Sequence, residues 1–224
     1  MAARNRANPL ALAVLICLYE RPMHPYEVAT TLRQRNKHDS IRLNYGSLYA
    51  VVESLERRGL IVPQQTTREG RLPERTVYAL TAAGHVEMHD WLTELISTPV
   101  NDYPSFEAAL SLLPGLPPDQ VVGLLEERAH RLESELAQAA AARELVEKQG
   151  LPRLFWVEAE FRVLLRETEL GYCRKLARDI SSGALDGVQW WRDVYTGDAP
   201  PVWPPPAMGE PPTHRSSGGG TPAG

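Results

Sequence analysis

Between residues 60 and 80 the spacing of apolar residues leaves the helical period and then returns to it, and this constrains the fold more than any other feature. "LIVPQQT" and "RTVYAL" are short and rich in β-branched and aromatic residues. "TREGRLPE", with Gly70 and Pro73, joins them, so the pair reads as a two-stranded ribbon with a polar, arginine-bearing tip. Three helix-spaced segments precede it. In "NPLALAVLICLYERP", Asn8 and Pro9 suit a helix start, and Leu12, Leu15, Ile16 and Tyr19 recur helically before Pro22. "HPYEVATTLRQRN" repeats Tyr26, Ala29 and Leu32 or Arg33. "YGSLYAVVESLERRGLI" puts Leu48, Val52 and Leu55 on one stripe and ends at Gly59, placed as a C-terminal cap. After the ribbon, Thr81 caps "TAAGHVEMHDWLTELIS", with Val86, Trp91 (or His89) and Leu95 as the expected inner stripe. Helix–helix–helix–strand–strand–helix over about 90 residues is the order of a winged helix-turn-helix domain.

The rest of the chain changes character. "TPVNDYPS" reads as a hinge, and a short helix follows around "FEAALSLL". A long helical pattern then runs from about Asp119 to Gln149. Leu125, Leu132, Ala139 and Val146 lie seven apart, with Val122, Ala129 and Leu136 between them, which argues for a coiled-coil-like seam. "GLP" breaks it. A second long helix is expected to present Val157, Phe161, Leu164 or Leu165, Thr168, Tyr172, Leu176 and Ile180. Folded back as a hairpin, two helices cannot cover all of these, so a second copy of the chain is the natural cover. "VQWWRDVY" reads as a last docked turn. From Asp198 onward proline, glycine and serine dominate, and disorder is expected. The expected fold is mainly α with a small β-ribbon. Its parts are a winged helix-turn-helix DNA-binding domain (1–97), a hinge (98–105), a helical-hairpin dimerisation domain (106–197) and a disordered tail (198–224).

At 43% hydrophobic and 23% charged residues the 224-residue chain has an ordinary globular composition. No apolar run approaches the ~20 residues of a membrane span. "PLALAVLICLY" is too short and lacks a cleavage site, so a cytoplasmic protein with no membrane partner is expected. Cys17 and Cys173 sit in helical patterns among aliphatic residues and read as buried, reduced thiols. The net charge of −4 is uneven: residues 1–80 hold 12 Lys and Arg against 7 Asp and Glu, and residues 81–224 hold 12 against 21. A basic N-terminal part beside an acidic remainder fits a chain of which one part meets a polyanion.

What remains on the third helix, once its core stripe is assigned, is Tyr45, Ser47, Tyr49, Ala50, Glu53, Ser54, Arg57 and Arg58. The N-terminal part of a recognition helix enters the major groove, and residues around it grip phosphates. Small Ser47 and Ala50 permit close approach, and the hydroxyls of Tyr45 and Tyr49 suit phosphates. Arg33, Arg35, Lys37 and Arg42 precede the helix, while Arg68, Arg71 and Arg75 line the ribbon, which suits a wing pressed into a minor groove. Lys37, Arg42, Tyr45, Ser47, Tyr49, Arg57, Arg58, Arg68, Arg71 and Arg75 are therefore the candidate DNA-binding residues.

The combination resembles the PadR family of transcriptional regulators. The resemblance rests on "YGSLYAVVESLERRGLI", on "GRLPERTVYALTAAG" with its Tyr-x-Leu-Thr-x-x-Gly, and on "HPYEVATTL", together within residues 8–97. The long-helix hairpin is similar in layout to the larger members, including the AphA-like virulence regulators. This resemblance implies a homodimer that binds an inverted-repeat operator and represses, with Tyr45, Ser47 and Tyr49 toward the major groove and Arg68 and Arg71 at the wing. "LPE" at 72–74 departs from the more basic wings of that family.

Other classes fit less well. No nucleophile elbow, phosphate-binding glycine loop or Cys/His metal spacing is present, so no enzyme and no cofactor are expected. His85 and His89 are four apart, but Glu87 falls on another face and no third ligand is evident, so no metal site is assigned. Trp91, Phe155, Trp156, Phe161 and Tyr172 are candidates for an apolar chamber that takes a small apolar or aromatic effector; as core residues they would serve packing alone. The alternative to a DNA-binding regulator is a winged-helix scaffold that dimerises through its C-terminal helices without specific DNA binding.

Overall fold

The structure, a computed structural model, describes residues 8–67, 75–199 and 201. Arg68, Arg71 and the tail that was expected to be disordered, apart from its first residues, lie outside them. The chain divides into two compact units between Asp102 and Tyr103.

The first unit contains α1 (Pro9–Glu20), α2 (Pro25–Gln34), α3 (Tyr45–Arg57), β1 (Ile61–Thr67), β2 (Arg75–Leu80) and α4 (Ala82–Ser97). All four helices begin at a polar side chain that takes up otherwise unpaired backbone N–H groups. Asn8 Oδ1 accepts from Leu10 N, His24 Nδ1 from Tyr26 N, Asn44 Oδ1 from Ser47 N and Thr81 Oγ1 from Gly84 N. At α2 the cap is reciprocal, with His24 N donating to Glu27 Oε2 at 2.8 Å.

Helix α1 is the centre of this unit. Leu10 through Leu15, Cys17 and Leu18 are all buried, because α2, α3, α4 and β2 surround the helix. Of the residues at helical spacing, Leu12 and Leu15 are buried, whereas Tyr19 at the end of the helix is 60% exposed. A helix apolar on nearly every side has no preferred face, and burial all round is the outcome. Helix α3 does bury the expected stripe of Leu48, Val52 and Leu55, and Gly59 leaves it at φ 68°.

The ribbon is antiparallel, from Ile61 opposite Leu80 to Thr67 opposite Arg75, and its register slips between Pro63 and Gln65. Proline lacks the N–H a ladder needs, so an irregularity at this point is expected. Met23 adds a one-residue third strand, exchanging two backbone hydrogen bonds with Tyr78 at 3.1 and 3.0 Å.

On α4 the inner line is Gly84, Met88 and Trp91, and the expected Val86 and Leu95 are exposed. The reason is the close approach at Gly84, where a Cβ would stand 2.0 Å from the Leu60 carbonyl oxygen. Thr81 reinforces that approach, its hydroxyl donating to the carbonyls of Gly59 (2.8 Å) and Leu60 (3.0 Å). Backbone contact at one turn sets the rotation of the whole helix.

The second unit contains α5 (Ser105–Leu110), α6 (Pro118–Lys148), α7 (Val157–Ser182) and α8 (Val188–Thr196), with single 3₁₀ turns at Leu113–Gly115 and Arg153–Phe155. Helices α6 and α7 pack along each other as a hairpin. Their closed core holds Val121, Leu125, Ala129 and Leu132 of α6, Leu170, Cys173, Leu176, Ala177 and Ile180 of α7, and Val188 and Trp191 of α8. Helix α8 locks the open end. Trp191 Nε1 donates to the Leu116 carbonyl at 2.9 Å, Tyr195 Oη to that of Pro114 at 3.0 Å and Arg192 to that of Ile180 at 2.8 Å.

Of the α7 residues with that spacing, Leu176 and Ile180 enter the hairpin core. Val157, Phe161, Leu164, Leu165, Thr168 and Tyr172 are exposed, Phe161 by 62% and Leu164 by 60%. Ion pairs occupy the α6-facing side at mid-length: Arg128 with Glu169, Arg166 with Glu135 and Arg174 with Glu133. The apolar stripe therefore points away from α6. Among the described residues, no helix is long and apolar enough to cross a membrane.

Candidate nucleic-acid interface

With Leu48, Val52 and Leu55 turned into the core, α3 presents Tyr45, Gly46, Ser47, Tyr49, Ala50, Glu53 and Arg57 outward. Periodicity alone dictates this division. The Asn44 side chain accepts from Ser47 N at 2.7 Å, so the helix begins squarely at Tyr45. This surface carries hydroxyls, a small methyl and a backbone stretch without bulk, which suits close contact with a groove.

Tyr45 does not stand alone. Arg33 Nη1 of α2 donates to its hydroxyl, and the Arg33 guanidinium carbon lies 4.5 Å from the centre of its ring. The Tyr26 ring lies nearly parallel to it, 7° apart in plane with centroids 6.2 Å apart. Tyr26, expected within the repeat of α2, is 58% exposed. The signal was in the spacing: Val28, Ala29 and Leu32 form the buried line, and Tyr26 falls off it. Tyr49 faces a shallow cleft of about 410 Å³ shared with His24, Glu53, Thr76 and Tyr78.

The basic residues part into distinct groups. Arg35 holds Glu20 through both guanidinium nitrogens, at 2.5 and 2.7 Å, and keeps that carboxyl below the usual carboxylate range. Arg58 meets Glu87 of α4 at 2.5 Å and lies 5.0 Å from the centre of the Trp91 ring; it ties α3 to α4. Arg57 pairs with Glu53 one turn back at 3.0 Å and stays on the outer face. Lys37 sits in the 3₁₀ turn Lys37–Asp39, and exposed Arg42 stands two residues before Asn44. Arg75 opens β2 opposite Thr67. The described basic candidates thus lie on the turn before α3, on its last turns and at the end of the ribbon next to its connecting segment, and Arg58 is committed to the fold.

The motif Tyr-x-Leu-Thr-x-x-Gly proves structural. Tyr78 Oη donates to Glu56 at 3.2 Å, Thr81 caps α4 and Gly84 permits the contact with Leu60.

The five effector candidates are divided between the two units. Trp91, 3% exposed, is part of the first unit's core. In the second unit Phe155, Phe161 and Tyr172 are exposed. Trp156 has the Arg143 guanidinium 5.3 Å from its ring centre and donates to the Leu151 carbonyl at 3.3 Å. The cavity of this unit lies elsewhere, about 460 Å³ between α5 and α6, with Phe106, Leu110, Leu125, Arg128 and Arg166 in its walls. His85 packs against the Tyr19 ring at 5.3 Å, and among the described residues no cluster of three metal-ligating side chains occurs.

Residues 14–90 match the sequence signature of the transcriptional regulator PadR-like family. No curated protein matches the chain significantly in sequence. Solved structures of the same fold include Bacillus subtilis PadR in complex with operator DNA, at a TM-score of 0.60 and 17% identity over 75% of this chain and 96% of that one. The same protein in complex with p-coumaric acid gives 0.60 and 15%, again over 75% and 96%. The Vibrio cholerae virulence activator AphA gives 0.50 and 19% over 77% and 98%.

Proposed function

We propose that the chain, whose residues 14–90 match the transcriptional regulator PadR-like family, is a member that binds an inverted-repeat operator as a homodimer and represses. The observation that carries this reading is α3, with its apolar stripe wholly buried and its hydroxyl-rich face outward at the start of the helix. Ser47, Tyr49 and Ala50 approach base edges, while Lys37, Arg42 and Arg57 meet phosphates. Arg68, Arg71 and Arg75 act from the wing. A second copy covers the outward stripe of α7, Phe161, Leu164, Leu165 and Tyr172, which gives a symmetric dimer and two recognition helices about 34 Å apart. A small apolar or aromatic effector tunes the affinity; the p-coumaric acid complex of the similar Bacillus protein supports this. AphA, of similar fold, is a virulence activator, so the sign is tested by a reporter fused to the regulated promoter.

The decisive experiment titrates the protein against DNA from upstream of its own gene and against unrelated DNA of equal length, at two salt concentrations. Tight binding confined to the first fragment is expected. If each protomer neutralises about four phosphates, log affinity falls against log salt with a slope near −7. Absence of binding to either fragment at low salt overturns the reading and leaves the dimerising scaffold.

A further inference from the structure

We propose that Tyr26 and Arg33 of α2 join Tyr45 of α3 in a grip on one backbone phosphate, so that Tyr45 positions the recognition helix and reads no base. The inference rests on the DNA-binding reading above. Its first support is chemical. Arg21, Arg35, Arg57 and Arg58 each face a carboxylate, of Glu27, Glu20, Glu53 and Glu87 respectively. Among the described residues Arg33 has no such partner; its recorded contacts are the hydroxyl and the ring of Tyr45. Because the Tyr45 oxygen accepts from Arg33, its own O–H is left to donate outward. The remaining guanidinium N–H groups also donate. A set of donors carrying a positive charge and no acid suits an acceptor-only anion; among major-groove base edges guanine O6 and N7 also offer acceptors alone, so single-base replacement separates the two.

The second support is mechanical. The Tyr45 ring is held by the nearly parallel Tyr26 ring and by the guanidinium, and both come from the neighbouring helix. Tyr45 is thereby fixed across α2 and α3 at the point where the first helix of such a pair crosses the backbone. Base reading then falls to Ser47, Tyr49 and Ala50, one turn further along the outer face.

The test uses the full chain, its own upstream DNA, and that fragment with single base pairs replaced through the protected region. Arg33→Ala is expected to weaken binding about tenfold by a similar factor on every fragment, and to make the salt slope less negative by about 2, one phosphate contact from each protomer of the dimer. Arg33→Lys should retain the slope. Tyr45→Phe, which keeps the ring and the fold, should weaken binding uniformly. Ser47→Ala should instead change the order of preference among the fragments. An unchanged slope in Arg33→Ala, or a reordered preference in Tyr45→Phe, overturns the grip. Wild-type protein without DNA affinity fails the underlying reading itself, a result distinguishable from either of these.

Discussion

In the first unit the most apolar helix, α1, is enclosed on nearly every side. In the second, α7 buries Leu170 through Ile180 along one line and leaves Phe161, Leu164, Leu165 and Tyr172 in solvent. Both helices carry ample apolar surface; what differs is the number of neighbours available to cover it. Four elements surround α1, whereas α7 has α6 on one side, and that side is partly taken by ion pairs. One unit completes its own core, and the other keeps apolar area that water disfavours.

The closed core is most sharply challenged at Gly84. Replacing it by alanine forces a Cβ onto the Leu60 carbonyl, with no flexible side chain to yield. A loss of about 3 kcal/mol is expected, read as a fall in thermal midpoint. An unchanged midpoint would mean that α4 is not packed against the α3–β1 turn as described.

The two thiols sharpen the contrast, since each lies in one core. Burial pushes the Cys17 thiol up to about 11 from 9.0, and it also raises Cys173. A group whose neutral form is favoured by folding contributes stability below its unfolded value and loses it as pH rises. For Cys17 the loss falls between pH 9 and about 11, and amounts to roughly 2–3 kcal/mol. Neither thiol should react with a disulfide reagent in the native state at neutral pH. If Cys173 reacts well before Cys17, the second unit opens locally more readily than the first.

For the open face, Phe161→Ser combined with Leu164→Ser should leave the helical spectrum intact and weaken self-association at least about tenfold in sedimentation. A double variant that associates as the wild type does would place the dimer contact elsewhere. The smallest effect belongs to Glu20, half-exposed and bound by Arg35. Its carboxyl is held low by that hydrogen bond, so its contribution is present above the usual carboxylate value and fades as pH falls below it. Glu20→Gln should cost less than about 1 kcal/mol, measured in denaturant at neutral pH.

How much of this was legible varies with the residues. The inward line of α3 was plain because polar residues border Leu48 and Leu55 on both sides and Glu53 follows Val52. The core line of α1 was not, because a helix that is apolar nearly throughout carries no directional signal. On α7 the period located an apolar stripe correctly but not which surface covers it; the ion pairs with α6 decide that. On α4, Val86 and Leu95 are nine residues and so about half a turn apart, which no single face can bury, and the contact at Gly84 turns Met88 and Trp91 inward. Aromatic character alone does not separate core from surface: Trp91 is buried in the first unit's core, and Phe161 of the second is exposed. Arg58 and Arg57 are neighbours in sequence and alike in charge, but one faces Glu87 of α4 and the other Glu53 of its own helix.

Local order determined by itself the helix starts at Asn8 and Thr81, the ribbon, the break after α3 at Gly59 and the two-sided character of α3. These depend on caps, turns and residue period, which act within a few positions along the chain. Tertiary structure alone decided the enclosure of α1, the rotation of α4, the outward turn of α7 and the assembly of Tyr26, Arg33 and Tyr45. Each of those depends on which surface a distant segment covers, and that follows from packing and charge pairing between elements, which no single stretch of the sequence encodes.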